Sequence, residues 1–406
     1  MVFLTHLMVA QSLKIAVISD LHFLSSELVE EGEAYSRFID QTGREVRDLH
    51  TVFDVVLNEL LFHNPDVVLI PGDLTNHGEF QSHYDLLNKL QLLLDNGIQV
   101  YVIPGNHDVN IPDSRAYMSD GVVPVESVTP CEFEELYDLY GFSLAKERDS
   151  VSLSYLTELN DSIWLLAIDT NRYEEHESRS MTGGRIKDRT MDWALRILEK
   201  AQKQNVLVLG MMHHGLVEHF PYQSLLFNDY LIDDWHKKAD QLADAGLQVV
   251  FTGHFHANDI TEFVTNTGNK IYDIETGSLA QYPFPYRVIE LKDKEMNISS
   301  FFVDTILGNK LFNEKHKASF EQNAYRLISA KLDKMDFLVR PEFKETLTEI
   351  MVKVSLMHVE GDEPVGLEML PTIERLISII GGDVADMDQL SFDFPPADNN
   401  LNIILQ

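Results

Sequence analysis

Five short apolar runs in this chain each end in a cluster of Asp, Asn or His, and this feature constrains the fold more than any other. The runs are Lys14 to Ser19, Asp66 to Pro71, Gln99 to Pro104, Val206 to Met211 and Gln248 to Thr252. Their ends read Ser19-Asp20-Leu21-His22, Gly72-Asp73, Gly105-Asn106-His107-Asp108, His213-His214 and Gly253-His254-Phe255-His256. With Ile163 to Ile168 they are the length of buried strands, and amphipathic segments separate them, as in an α/β protein. Gly43 to His63 spaces Val46, Leu49, Val52, Phe53, Val56, Leu57 and Leu60 by threes and fours, the pattern of a helix with one apolar face, and Tyr84 to Asp95 continues it. Ligands of α/β sheets bind beyond the carboxyl ends of the strands, so the five clusters are expected on one rim.

Past Phe255 the texture changes. Thr261 to Val264, Lys270 to Ile274, Arg287 to Leu291 and Ile298 to Val303 read as a mostly antiparallel second half. From Leu311 the pattern is helical again, with Phe320 to Leu332, Pro341 to Val359 and Leu367 to Ile380 as candidate helices. The expected organisation is a catalytic domain over 1–310 and a helical C-terminal domain or cap over 311–406. Its end, Gly382 to Asn400, has five aspartates and no basic residue and reads as a solvated tail. The C-terminal helices would pack on the core, form a lid over the rim, or make a homo-oligomer interface.

Composition excludes several classes. Cys131 is the only cysteine of 406 residues, so no intrachain disulfide and no Cys-based zinc site can form. No apolar stretch reaches the roughly 18 to 20 residues of a membrane span. Met1 to Ala10 is apolar but lacks the basic residues of a signal peptide, so a cytoplasmic location is expected, with secretion open if a leader has been removed. The net charge of −33 repels polyanions, which disfavours a nucleic-acid polymer as partner but not a small phosphate ester drawn in by local metal charge.

Asp, Asn and His are oxygen and nitrogen donors suited to Mn, Fe, Zn or Co, and there are enough of them here for two ions. In Asp-x-His and His-x-His both side chains leave the strand end on one side. In this order, D-x-H, G-D, G-N-H-D, H and G-H-x-H over Asp20 to His256, the blocks resemble the calcineurin-like metallophosphoesterases, specifically the class III cyclic-nucleotide phosphodiesterase type. Gly72-Asp73-Leu74-Thr75 with Gly78, and Gly184-Arg185-Ile186 ahead of Trp193, extend the likeness, which covers roughly 13 to 300.

The resemblance implies an αββα fold, a β-sandwich flanked by helices, with a C-terminal helical extension. It implies Asp20, His22 and His256 on a first metal, Asn106, His213 and His254 on a second, and Asp73 bridging both. It further implies two transition-metal ions (Mn, Fe or Zn), a metal-bridging hydroxide as nucleophile, His107 as general acid and Asp108 as the group orienting it. His214 would be a substrate-facing or supporting residue. The expected reaction is hydrolysis of a phosphate diester, with cyclic nucleotides the leading substrate class. A phosphomonoesterase and a non-catalytic scaffold remain alternatives. A protein phosphatase is disfavoured because Gly72 to Gly78 lacks the second Asp and the Arg of the G-D-x-x-D-R-G pattern.

Other residues have ordinary explanations beside functional ones. Asp20, Asp73 and Asp108 taken singly could cap helices. His50, His63 and His358 read as surface or core, and His77 and His219 lean the same way although near the motifs. Cys131 reads as a helix residue, and Asp169-Thr170-Asn171 as a turn. Arg172, Arg179, Arg185, Lys187 and Arg189 could clamp a phosphate or line a solvated loop. Tyr282, Phe284 and Tyr286 could stack on a base or simply pack.

Overall fold

Runs rich in Val, Ile and Leu become central strands because both faces of the resulting sheets are covered. A computed structural model describes residues 12–44, 46–221, 223–333, 341–362 and 394–406. Strands β1 (Ser12–Val17), β2 (Val67–Ile70) and β3 (Gln99–Val102) lie parallel, connected through helices α1 (Glu33–Thr42), α2 (Leu49–His63) and α3 (Phe80–Asp95). A hairpin of β4 (Arg115–Met118) and β5 (Gly121–Pro124) and helix α4 (Pro130–Leu136) follow. A second sheet is built from β6 (Glu147–Arg148), β7 (Tyr155–Asn160), β8 (Ile163–Ile168), β9 (Leu207–Met212), β10 (Val249–Thr252), β11 (Ile260–Val264) and β12 (Lys270–Glu275). Helices α5 (Asp188–Gln204), α6 (Gln223–Leu226) and α7 (Trp235–Asp244) interrupt it.

The chain then returns to the first sheet with β13 (Pro285–Lys292) and β14 (Glu295–Phe302), continues through α8 (Phe312–Asp333) and α9 (Pro341–Glu360), and ends in β15 (Asn400–Ile404). Among the described residues the first sheet runs β15-β14-β13-β1-β2-β3 and the second β11-β12-β10-β9-β8-β7-β6. Alternation along β8 sets the layers. Leu165 and Ala167 face the shared core with Leu209 and Phe251, whereas Trp164 and Leu166 face α5 and α7 through Trp193, Leu198 and Leu242. On the other side α2 and α3 cover the first sheet with Val52, Val56, Leu60, Leu86 and Leu90. This is the αββα arrangement, and the second half is mostly antiparallel as expected, β11 with β12 and β13 with β14, although β10 runs parallel to β12.

Two expectations fail instructively. The helix expected over Gly43 to His63 begins only at Leu49, because Gly43, at φ 71°, terminates α1 by donating to the Ile39 carbonyl. The expected solvated tail is solvated only in part where it is described: Pro395, Ala397 and Asn400 are exposed, but Asn400 opens β15, which pairs with β14. Asp398 is fully buried, accepting from the amides of Ile260 and Asp362. Leu367 to Ile380 and most of the acidic stretch lie outside the described residues.

Candidate metal centre

The loops after β1, β2, β3, β9 and β10 do converge. Asp20, His22, Asp73, His254 and His256 all adopt positive φ, between 42° and 75°. For residues other than glycine this conformation costs about 1 kcal/mol or more and persists only where surroundings enforce it. The enforcement is visible: the His254 amide donates to the Asp20 carboxylate (3.0 Å), the Ser19 hydroxyl donates to the same group (2.6 Å), and the His22 amide donates to the Asp73 carbonyl (2.9 Å). Glycine is required at Gly105, where a Cβ would lie 2.1 Å from the Asp73 nitrogen, and at Gly253, where it would lie 2.3 Å from Asp20 Oδ2.

Two groups of ligand-type atoms result, Asp20, His22 and His256 in one and Asp73, His213 and His254 in the other, each within 4.8 Å. The Asp73 carboxylate reaches toward both: Oδ2 is 3.6 Å from His22 Nε2 and Oδ1 is 3.4 Å from His213 Nε2. Asn106 Oδ1 lies 3.0 Å from His213 Nε2, joining the second group. His213 Nδ1 donates to the Pro71 carbonyl (2.9 Å), which turns Nε2 inward. Burial opposes a charge on His213, but Asp73 overcomes it and raises the ring to about 9. Burial with the His213 charge pushes His254 down to about 3.

These residues fit cations. His22 Nε2 and His256 Nε2 face one another at 3.0 Å, with Asp20 Oδ1 3.4 Å from His256, and the other His22 nitrogen is buried without a hydrogen bond. Lone-pair donors crowded on a common centre repel unless a cation lies among them, and this N/O set suits a first-row transition ion. The two groups are the candidate ligands for two such ions.

His107 sits at the edge, its amide donating to Asp73 Oδ1 (2.8 Å) and its ring centroid 5.2 Å from that of His22. Its partners differ from expectation. The Asp108 carboxylate accepts from the amides of Leu74, Thr75 and Gly105 and from the Thr75 hydroxyl, so it ties the second and third loops together. The His107 ring meets Arg44 and His77 instead: Arg44 Nη2 is 3.1 Å from Nε2, and His77 Nδ1 is 3.3 Å from Nδ1. Burial, reinforced by Arg44, pushes His107 down to about 3. His214 is a supporting residue, its Nδ1 held by Thr170 (2.7 Å) and its Nε2 by the Thr182 carbonyl (2.9 Å), with its ring against His254.

Of the remaining candidates, Arg172 and Arg185 pair with Glu175 and Asp233, and Lys187 pairs with Glu174. Tyr282, Phe284 and Tyr286 are buried packing residues. Asp169 is occupied by Tyr173 and by the amides of Leu153 and Asn171. Arg44 escaped sequence reasoning because it follows a helix rather than a strand and belongs to no block. Outside the centre, α8 spans the rim: His316 reaches Asp48 (3.1 Å), Asn323 lies beside Gly43, and Lys331 sits over Phe227 (4.3 Å). Phe227 packs in turn on Phe255, between two of the histidines.

The sequence model of calcineurin-like phosphoesterases matches residues 13–258, more than half of the chain, and the chain belongs to that family. Among solved structures it is similar to a dimetal phosphatase from Danio rerio, with 12% identity over 71% of this chain and 95% of that one and a TM-score of 0.48. A purple acid phosphatase from yellow lupin (Lupinus luteus) seeds gives 10%, 73%, 53% and 0.48 in the same order. The NAD nucleotidase of Haemophilus influenzae gives 15%, 70%, 47% and 0.39. The chain thus spans about half the length of the last two. Comparison with curated proteins finds no match. The family assignment rests on the sequence model. Among the described residues no helix is long and apolar enough to cross a membrane.

Proposed function

We propose that this metallophosphoesterase hydrolyses phosphate diesters, with Asp20, His22 and His256 holding one ion, Asn106, His213 and His254 the other, and Asp73 shared. The observation that carries this reading is the Asp73 carboxylate, whose two oxygens lie 3.6 and 3.4 Å from imidazole nitrogens of the two groups. Such a pair of ions supplies an activated water and neutralises phosphoryl charge. The chain's own residues do the rest. Asp108 fixes the loops that carry Asp73 and Asn106. His107 and Arg44 form the leaving-group side, the imidazole able to carry a proton and the guanidinium able to neutralise charge. The expectation of cyclic nucleotides as leading substrates rests on the sequence resemblance.

The test is a hydrolysis panel of aryl diesters, aryl monoesters and 2′,3′- and 3′,5′-cyclic nucleotides with Mn, Zn and Fe, run on wild type and His107→Ala. Diester turnover in wild type that falls roughly 10²- to 10⁴-fold in His107→Ala, with metal content unchanged, is the expected result. Monoester turnover alone, or an unimpaired His107→Ala, would refute it.

A further inference from the structure

Asp108, the group expected to orient His107, is occupied by backbone amides, and a different side chain meets the His107 ring. His77 Nδ1 lies 3.3 Å from His107 Nδ1, with the ring centroids 5.2 Å apart. Which of these two nitrogens carries the hydrogen is decided on the far side of His77. Its Nε2 lies 3.0 Å from Arg115 Nη2, and arginine only donates, so Nε2 accepts and the proton of the neutral ring sits on Nδ1. His77 is therefore the donor of the pair. A hydrogen bond between the rings then requires His107 Nδ1 to be bare and the His107 proton to sit on Nε2.

Arg44 makes the opposite demand. Its Nη2 stands 3.1 Å from His107 Nε2, and a donor there needs a bare Nε2. One of the two contacts has to yield, and the His77 side is the fixed one. His77 is buried, its ring packs edge-on against Phe38 (6.2 Å between centroids), and its amide donates to the buried Glu79 carboxylate (3.1 Å). Arg115 is in turn paired with Asp113 (3.2 Å). Arg44 donates to both Asn76 oxygens through Nη1 (3.3 and 3.0 Å), a hold that survives loss of its Nη2 contact.

We infer that His77, set by Arg115, is a positioning residue that keeps the proton of His107 on Nε2, so that this N–H donates to the departing oxygen of the substrate. This rests on the proposed reading of His107 as the leaving-group residue. As the phosphorus–oxygen bond breaks, its electron pair moves onto the departing oxygen. An Nε2–H aimed there stabilises the growing charge, whereas the other tautomer presents a lone pair to it.

The experiment measures kcat and KM for methyl p-nitrophenyl phosphate and methyl phenyl phosphate, diesters that differ only in how well the leaving oxygen carries charge. The proteins are Mn-loaded wild type, His77→Leu, His77→Asn, Arg115→Met, Arg115→Lys, His107→Ala and the double variant His77→Leu/His107→Ala, each with metal content and Tm recorded. Leucine keeps volume beside Phe38 without a donor, and asparagine returns an N–H near the position of Nδ1. His77→Leu should lower kcat roughly 10- to 100-fold on the phenyl ester and less than about threefold on the p-nitrophenyl ester, with KM little changed. Arg115→Met should follow it, and His77→Asn and Arg115→Lys should recover most of the loss. The double variant should be no slower than His107→Ala, since His77 acts only through that ring. An unimpaired His77→Leu, equal losses on both esters, no recovery in His77→Asn, or a double variant slower than His107→Ala by the full His77→Leu factor would overturn the inference. The same two leaving groups are compared on the aryl monoesters. A chain that cleaves only those refutes the diesterase reading, and the His77→Leu losses on the two leaving groups then decide the role of His77 separately.

Discussion

At the residue scale the centre is a set of strained backbone positions locked by close packing, so small changes near it should be costly. Gly105 is the sharpest case. Its α-carbon lies against Asp73, and a methyl group there would collide with both the nitrogen (2.1 Å) and Oδ1 (2.2 Å) of the shared ligand. Gly105→Ala is expected to lower turnover by roughly 10²-fold through displacement of Asp73, measurable with any accepted ester alongside metal content. A second residue-scale prediction concerns His219, which reads from sequence as ordinary. It is buried, with Nδ1 2.6 Å from Asp259 and Nε2 3.4 Å from Asp273. Burial opposes its charge, but Asp259 and Asp273 hold its pKa well above the usual value. A histidine raised on folding contributes in full below its unfolded value of about 6.5 and loses that contribution as pH rises through the folded value. Wild-type stability should therefore fall on the alkaline side. His219→Gln should cost about 3 kcal/mol near pH 6 and flatten the alkaline decline, as read by denaturant titration at pH 6 and 9.

Elements were legible where a single periodicity governed them. The five chemistry-bearing strands come out within two residues of their expected bounds, because continuous apolar runs followed by Gly, Asp or His leave little choice. What sequence could not deliver depends on contacts remote in the chain. Gly43 stops a helix whose apolar spacing continues past it, and that break delivers Arg44 to His107, 63 positions away. Asp108 directly follows His107 yet serves the backbone of Gly105, Leu74 and Thr75, since adjacency along a turn says nothing about where a side chain finds donors. The acidic end looked solvated because its charge was visible and its partners were not: Arg287, fully buried, donates to the Asp398 and Glu275 carbonyls, and Asp398 closes the β11 edge. Asp398→Ala leaves the Ile260 and Asp362 amides without their acceptor. It should destabilise the protein by about 2 to 4 kcal/mol in a denaturant titration while leaving the metal content intact.

At the scale of the whole molecule, a chain of net charge −33 concentrates imidazoles and carboxylates on one rim. The two sheets and their helices serve to hold five loops in register there. Without cations the buried ring of His213 carries the compensating proton, so metal uptake at neutral pH should release protons. The central claim is that Asp73 is shared by two ions. Its most direct test is the metal content per chain, by plasma mass spectrometry, of wild type and Asp73→Ala after reconstitution with Mn and removal of loosely bound ions. About two equivalents in wild type and fewer than one in the variant are predicted. Two retained equivalents in Asp73→Ala, or none in wild type, would contradict it.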